Sequence, residues 1–143
     1  CVARLARAPG RSLVALPGGL TITPKHPVRV DGEWQRPGEL GGTVEVPNEH
    51  GRVVYNFVLD SCHVLLVSGV ECATWGHGLQ GDIVGHSFFG TARVVECLAA
   101  LRGWEEGCVE IRGCLRDRRG RVVGLLGPDL CHEGDLALER VPA

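Results

Sequence analysis

Apolar residues in the first half of the chain come in short runs, each closed by glycine or proline within a few positions. The run from Ser12 to Leu16 ends at Pro17-Gly18-Gly19, and Leu20 to Thr23 alternates until Pro24 breaks it. Val28 to Val30 resumes and meets Asp31-Gly32, a pair that reverses the chain between strands because both residues tolerate positive φ. Trp34 follows, Pro37-Gly38 and Gly41-Gly42 mark further turns, and Val44 to Val46 is short. Arg52 to Leu59 is the best strand, rich in the β-branched and aromatic residues that suit a pleated surface. His63 to Val67 is another, and Ser68-Gly69 turns it into Val70 to Cys72. About six or seven short strands at this spacing predict an all-β core over residues 1–77.

The texture then changes. Gly76, Gly78, Gly81, Gly85 and Gly90 punctuate a stretch that also holds His77 and His86. From Thr91 to Leu101, apolar residues at 94, 95, 98 and 101 fall on one helix face, with Thr91 as a cap and Gly103 as a stop. Cys108 to Ile111 and Arg121 to Leu126 read as a hairpin around Arg119-Gly120. The last dozen residues read as loop. Residues 78–143 are therefore expected to form a small α/β extension of the β core.

Composition narrows the classes. The chain has 143 residues, 44% of them apolar and 22% charged, which is globular and long enough for a real core. Fifteen Lys+Arg against seventeen Asp+Glu give no general electrostatic grip on nucleic acid or an acidic membrane. No apolar run approaches the roughly 20 residues of a membrane span, and no charged-then-apolar leader opens the chain. Methionine is absent, so Cys1 is no initiator and the chain is processed or part of a longer protein. Seven cysteines, at 1, 62, 72, 97, 108, 114 and 131, lack paired C-x-x-C spacing. Most are expected to be small buried groups in a reducing, intracellular and cytoplasmic setting. No cofactor is implied.

The residues around the first proline turn can do chemistry. Thr23 stands three residues before His26, at a strand end where a hydroxyl and an imidazole can converge. A capping Thr and a turn His fit the same spacing. His77 and His86, with Asp82 and Cys72 nearby, form no common zinc spacing, so no metal site is expected and a metal-dependent hydrolase is the weakest reading. Hydrogen-bonded imidazoles in a Gly-rich loop are the plainer account. Arg116, Arg118, Arg119 and Arg121 read as a solvated turn.

The pattern T-x-x-H inside GLTITPKHPV (Gly19 to Val28), followed by DGEW (Asp31 to Trp34), resembles block B of Hint domains, the hedgehog–intein autoprocessing fold. VYNFVLDSCHVLLVSGVEC (Val54 to Cys72) resembles the strand, histidine, strand and turn near the end of that core. TWGHGLQGDIVGHSFFGT (Thr74 to Thr91), with Gly103-Trp104 and Gly107 beyond it, resembles the Vint family, the Hint domains of eukaryotic proteins that also carry von Willebrand A domains. Together these blocks span most of residues 1–110.

The resemblance implies a horseshoe of short strands and self-cleavage. In the Hint family the domain's first Cys or Ser attacks the preceding carbonyl and exchanges a peptide bond for a thioester or ester. It assigns the holding and protonation of that amide to Thr23 and His26, and a second imidazole to His63. Cys72 falls where some Hint domains keep a second cysteine near the pocket; a buried spectator thiol fits equally. Cys1 stands where the family's nucleophile belongs, yet the family puts block B much further from its nucleophile than His26 stands from Cys1. Two readings of Cys1 follow: a buried strand residue with the nucleophile's block lost upstream, leaving this fragment inert, or the nucleophile of a shortened domain. Splicing is disfavoured, since it needs a downstream Asn and the only two are Asn48 and Asn56. The substrate would be the chain's own upstream polypeptide, released to water or another nucleophile. A catalytically inactive Hint scaffold that binds protein partners is the alternative.

Overall fold

The computed structural model describes residues 1–6 and 10–129. The expected terminal loop, and Cys131 within it, lie outside the described residues. Twelve strands, one α-helix and a short 3-10 turn (Pro37–Glu39) make up the described chain: β1 (Val2–Ala6), β2 (Leu13–Ala15), β3 (Thr21–Ile22), β4 (Val28–Val30), β5 (Glu33–Gln35), β6 (Val44–Val46), β7 (Val53–Phe57), β8 (Val64–Val67), β9 (Val70–Ala73), α1 (Ala92–Ala99), β10 (Cys108–Ile111), β11 (Gly113–Arg116) and β12 (Val122–Leu126). The fold is an all-β, Hint-like core with a small helical extension.

Four small sheets share these strands, in the orders β10-β1-β7, β3-β2-β6, β5-β4-β9-β8 and β11-β12. The turns set the registers. Asp31 and Gly32 both take positive φ (51° and 83°), the geometry that lets two residues link twisted strands, so Val30 faces Glu33 across β4 and β5. Ser68 and Gly69 repeat the device at 50° and 79° and join β8 to β9, with Val67 opposite Val70. In the first sheet β1 is central, antiparallel to β7 and parallel to β10. A parallel partner needs a long crossover, and everything from β2 to α1 supplies it.

That placement corrects the hairpin expected from Cys108 to Ile111. β10 pairs with β1, and the hairpin partner of β12 is β11, with Gly113 opposite Leu126 and a register shift at Leu115/Arg116. Glycine at 113 and a single aliphatic between Cys114 and Arg116 hide β11 from any period-two count.

Two clusters form the core. The larger gathers Ala3 and Leu5 of β1, Trp75, Phe88, Val94 and Leu98 of α1, Val109 and Ile111 of β10, and Cys114, Val122 and Leu125. The smaller packs Val14, Leu16, Val28 and Cys72 with Ile22, Val30, Val67 and Val70 around them. β10 buries alternate residues, Val109 and Ile111, as a strand with one wet face must. The helix buries Val94 and Leu98, four apart. Thr91 holds the N-cap position, but its hydroxyl donates back to the Phe88 carbonyl at 3.0 Å and not into the helix.

Candidate functional site

The strand β9 ends at Ala73, and from there to Gly78 the backbone is bonded to four separate segments of the chain. Ala73 N–H donates to the Pro27 carbonyl, and Thr74 gives both N–H and hydroxyl to the His63 carbonyl at 3.1 and 2.9 Å. Trp75 N–H reaches Phe57, Gly76 N–H reaches Phe89 and Gly78 N–H reaches Gly90, each at 2.8 Å. A backbone fixed this often is a rigid platform. Imidazoles stand around it.

His26 arrives from the turn after β3. Its N–H donates to the Thr23 carbonyl at 3.1 Å, closing the Thr23-Pro24-Lys25-His26 turn, and the Thr23 hydroxyl takes no partner among the described residues. The His26 ring lies 2.7 Å from the Ala73 carbonyl through Nε2. A carbonyl only accepts, so Nε2 carries the hydrogen and Nδ1 is left with a free lone pair. Burial lowers the His26 pKa from its ordinary 6.5; the Ala73 bond opposes this and nearby His77 adds to it.

His63 precedes β8 in a left-handed backbone, φ 49°, next to Cys62 at 65°. Its Nδ1 is buried and has no hydrogen-bond partner. A buried polar atom without a partner costs about 1–3 kcal/mol and calls for a reason. His77 accepts the Leu79 N–H on Nδ1 at 2.8 Å, so Nε2 carries the hydrogen, and the nearby Val84 carbonyl favours it there. Its pKa is lowered by burial first, then by His63 and His86. His86 Nδ1 accepts N–H bonds from Phe88 and Phe89, both 3.0 Å, and burial and then Arg116 lower its pKa.

His26 and His63 thus meet at the end of β9, with Thr23 in the His26 turn, and His77 lies beside them. A signal for His77 was present: Thr74-Trp75-Gly76-His77 repeats the T-x-x-H spacing, and glycines flank the histidine. At His77 and His86 the Nδ1 lone pairs are taken by backbone N–H donors, and the described residues contain no group of three or more metal-ligating side chains.

Cys1 and Cys72 lie elsewhere. Cys1 extends the β1–β7 ladder: its nitrogen donates to the Val58 carbonyl at 3.0 Å, and Val58 N–H returns to the Cys1 carbonyl at 2.9 Å. Trp75 bonds the opposite edge of β7, so about two strand spacings, roughly 10 Å, separate the Cys1 backbone from the platform. Cys72 is buried in the smaller core, and burial pushes its thiol up to about 11. Of the six cysteines described, all free, only Cys72 and Cys114 are buried; Cys62 and Cys108 are exposed, contrary to the expectation that most are interior.

Three imidazoles kept below their ordinary pKa make stability depend on pH. His26, His77 and His86 stay neutral in the folded state at pH values where the unfolded chain protonates them. The unfolded state therefore binds more protons below about 6.5, and stability falls as pH falls. Melting temperature should be level above pH 7.5 and decline toward pH 5, and a rise on acidification would contradict the assignment.

A β-rich domain of short sheets, with a Thr-x-x-His turn against its last core strand, is the architecture of a Hint domain. The family model for Vint, a Hint-domain family, matches residues 1–124, and the chain belongs to that family. The curated proteins compared with the chain include no match to it. Among the described residues no helix is long and apolar enough to cross a membrane.

Proposed function

We propose that the domain supports Hint-type autoprocessing: cleavage of a peptide bond in its own upstream polypeptide by an intramolecular acyl shift, without splicing. The observation that carries this reading is the His26 tautomer. With Nε2–H committed to the Ala73 carbonyl, Nδ1 is the one nitrogen free to move a proton. In this scheme Nδ1 takes the proton of the attacking thiol or hydroxyl as sulfur or oxygen bonds to the junction carbonyl. The carbon–nitrogen bond then breaks, and Nδ1–H delivers the same proton to the departing nitrogen. A lowered pKa serves both halves, since Nδ1 is unprotonated at neutral pH and the imidazolium, once formed, is a stronger acid. The Thr23 hydroxyl orients the junction, and the unpartnered His63 nitrogen, as N–H, steadies the negative charge on the carbonyl oxygen.

The Cys1 ladder bonds support the strand-residue reading. Its nitrogen faces Val58, and the His26 nitrogen is not what it meets. In that case the attacking group comes from polypeptide ahead of residue 1 in the natural frame. Intact mass of the natural reading frame, with and without dithiothreitol, tests both points. We expect a thiol-accelerated split that persists in Cys1→Ala. Loss of the split in that variant would make Cys1 the nucleophile of a shortened domain. A chain that stays whole under every condition leaves only the non-catalytic scaffold.

A further inference from the structure

His77 has no part in the proton path above, yet the chain fastens it on every side. Thr74 and His77 are buried, 3% and 7% exposed. Nδ1 accepts from Leu79 at 2.8 Å, so the hydrogen sits on Nε2 and one tautomer is fixed. Gly76 and Gly78, on either side, bond to Phe89 and Gly90 at 2.8 Å, and a Cβ at Gly90 would stand 3.1 Å from the His77 Cε1. The ring sits in a slot that Gly90 bounds closely.

Every ionisable neighbour bears on that slot with the same sign. His26 faces it from the turn after β3, His63 from the turn before β8, and His86 from the Gly-rich loop, with Arg116 of β11 acting on His86 in turn. A second proton on His77 would have to sit on Nδ1. It would turn an acceptor into a donor against the Leu79 N–H, and it would set a charge beside the ring that needs to carry one.

On the autoprocessing reading, we propose that His77 is a positioning residue: a buried imidazole fixed in one tautomer by the Leu79 N–H, which locks the platform after β9 beneath His26 and His63 and leaves the working proton to His26 alone. It acts through the Ala73 carbonyl that sets the His26 tautomer, and it touches neither nucleophile nor junction. Leucine of similar volume would fill the slot but strand the Leu79 N–H, loosening the Gly-rich loop. Glutamine offers an acceptor and a donor and does not titrate.

Two measurements test this. The first, ring-nitrogen NMR on the 143-residue chain between pH 5 and 8, requires no cleavage. His77 is expected to hold the Nε2–H tautomer throughout, and uptake of a proton by His77 in that range overturns the proposal. The second is the pH profile of cleavage in the natural frame. His77→Gln should keep the wild-type midpoint and a rate within about tenfold, while His77→Leu loses about 10²-fold through misplacement of the acid–base group. A shifted midpoint in His77→Gln, or equal losses in the two variants, would sink the positioning role. A wild type that never cleaves removes the autoprocessing reading and the positioning role with it; the NMR result still reports, separately, whether the ring is fixed neutral.

Discussion

His26→Ala, introduced in the natural reading frame, is expected to slow junction cleavage by about 10²–10⁴-fold, the span that one positioned acid–base group supplies. The reasoning runs through a single atom. Nε2 is held at 2.7 Å by the Ala73 carbonyl, so every proton that His26 moves passes through Nδ1. Alanine removes that atom and also strands the Ala73 carbonyl, at a stability cost of about 1–3 kcal/mol. A melting curve measured beside the mass time course separates the two effects: a folded variant that does not split assigns the proton transfer. The wild-type rate should also drop on the acid side, where Nδ1 already bears a proton and cannot take another from the nucleophile. The midpoint of that drop should lie below 6.5, the ordinary imidazole value, because burial lowers the His26 pKa. Cleavage by His26→Ala at the wild-type rate would remove His26 from the reaction.

What the chain discloses in one dimension depends on whether the information is local. Asp31-Gly32 and Ser68-Gly69 require positive φ at adjacent residues, so the hairpins β4–β5 and β8–β9 were legible from dipeptides. The face formed by Val94 and Leu98 was legible from the helical period. The partner of β10 was not, because parallel pairing with β1 joins residues about a hundred positions apart and leaves no mark in either strand. The candidate site divides in the same way. Thr23 and His26 belong to one four-residue turn and announce themselves. His77 reaches the site only after β9 is laid beside β4, and in sequence it belongs to a glycine loop that resembles a linker. Cys1 was ambiguous for the converse reason: its place at the chain's start suggests a nucleophile, while a short apolar run suggests a strand residue, and its bonds to Val58 are those of a strand.

Phe88→Ala should be the most destabilising single change among the core residues of the Gly-rich loop, at about 3–5 kcal/mol, which lowers the melting temperature by on the order of 10–20 °C. Phe88 is fully buried in the larger cluster. Its ring meets Phe89 edge-on, with centroids 5.3 Å apart, and Phe89 in turn stacks on Trp75 at 4.8 Å. That cluster also holds β1, β10, α1 and the β11–β12 hairpin, so the cavity would open where strands distant in sequence converge. The same residue ties the loop to the site. Phe88 N–H donates to His86 Nδ1, and the Phe88 carbonyl receives Thr91 ahead of α1. Losing the ring should therefore lower protection from hydrogen exchange at Gly76 and Gly78, the amides that clasp His77, before global unfolding. Phe89→Ala, at a half-buried position, makes the comparison: it should cost less in melting temperature because its ring leaves a gap that water can enter. If Phe88→Ala melted within about 2 °C of wild type, the loop would have to be held by its backbone bonds alone, and the core would end at α1 and the strands.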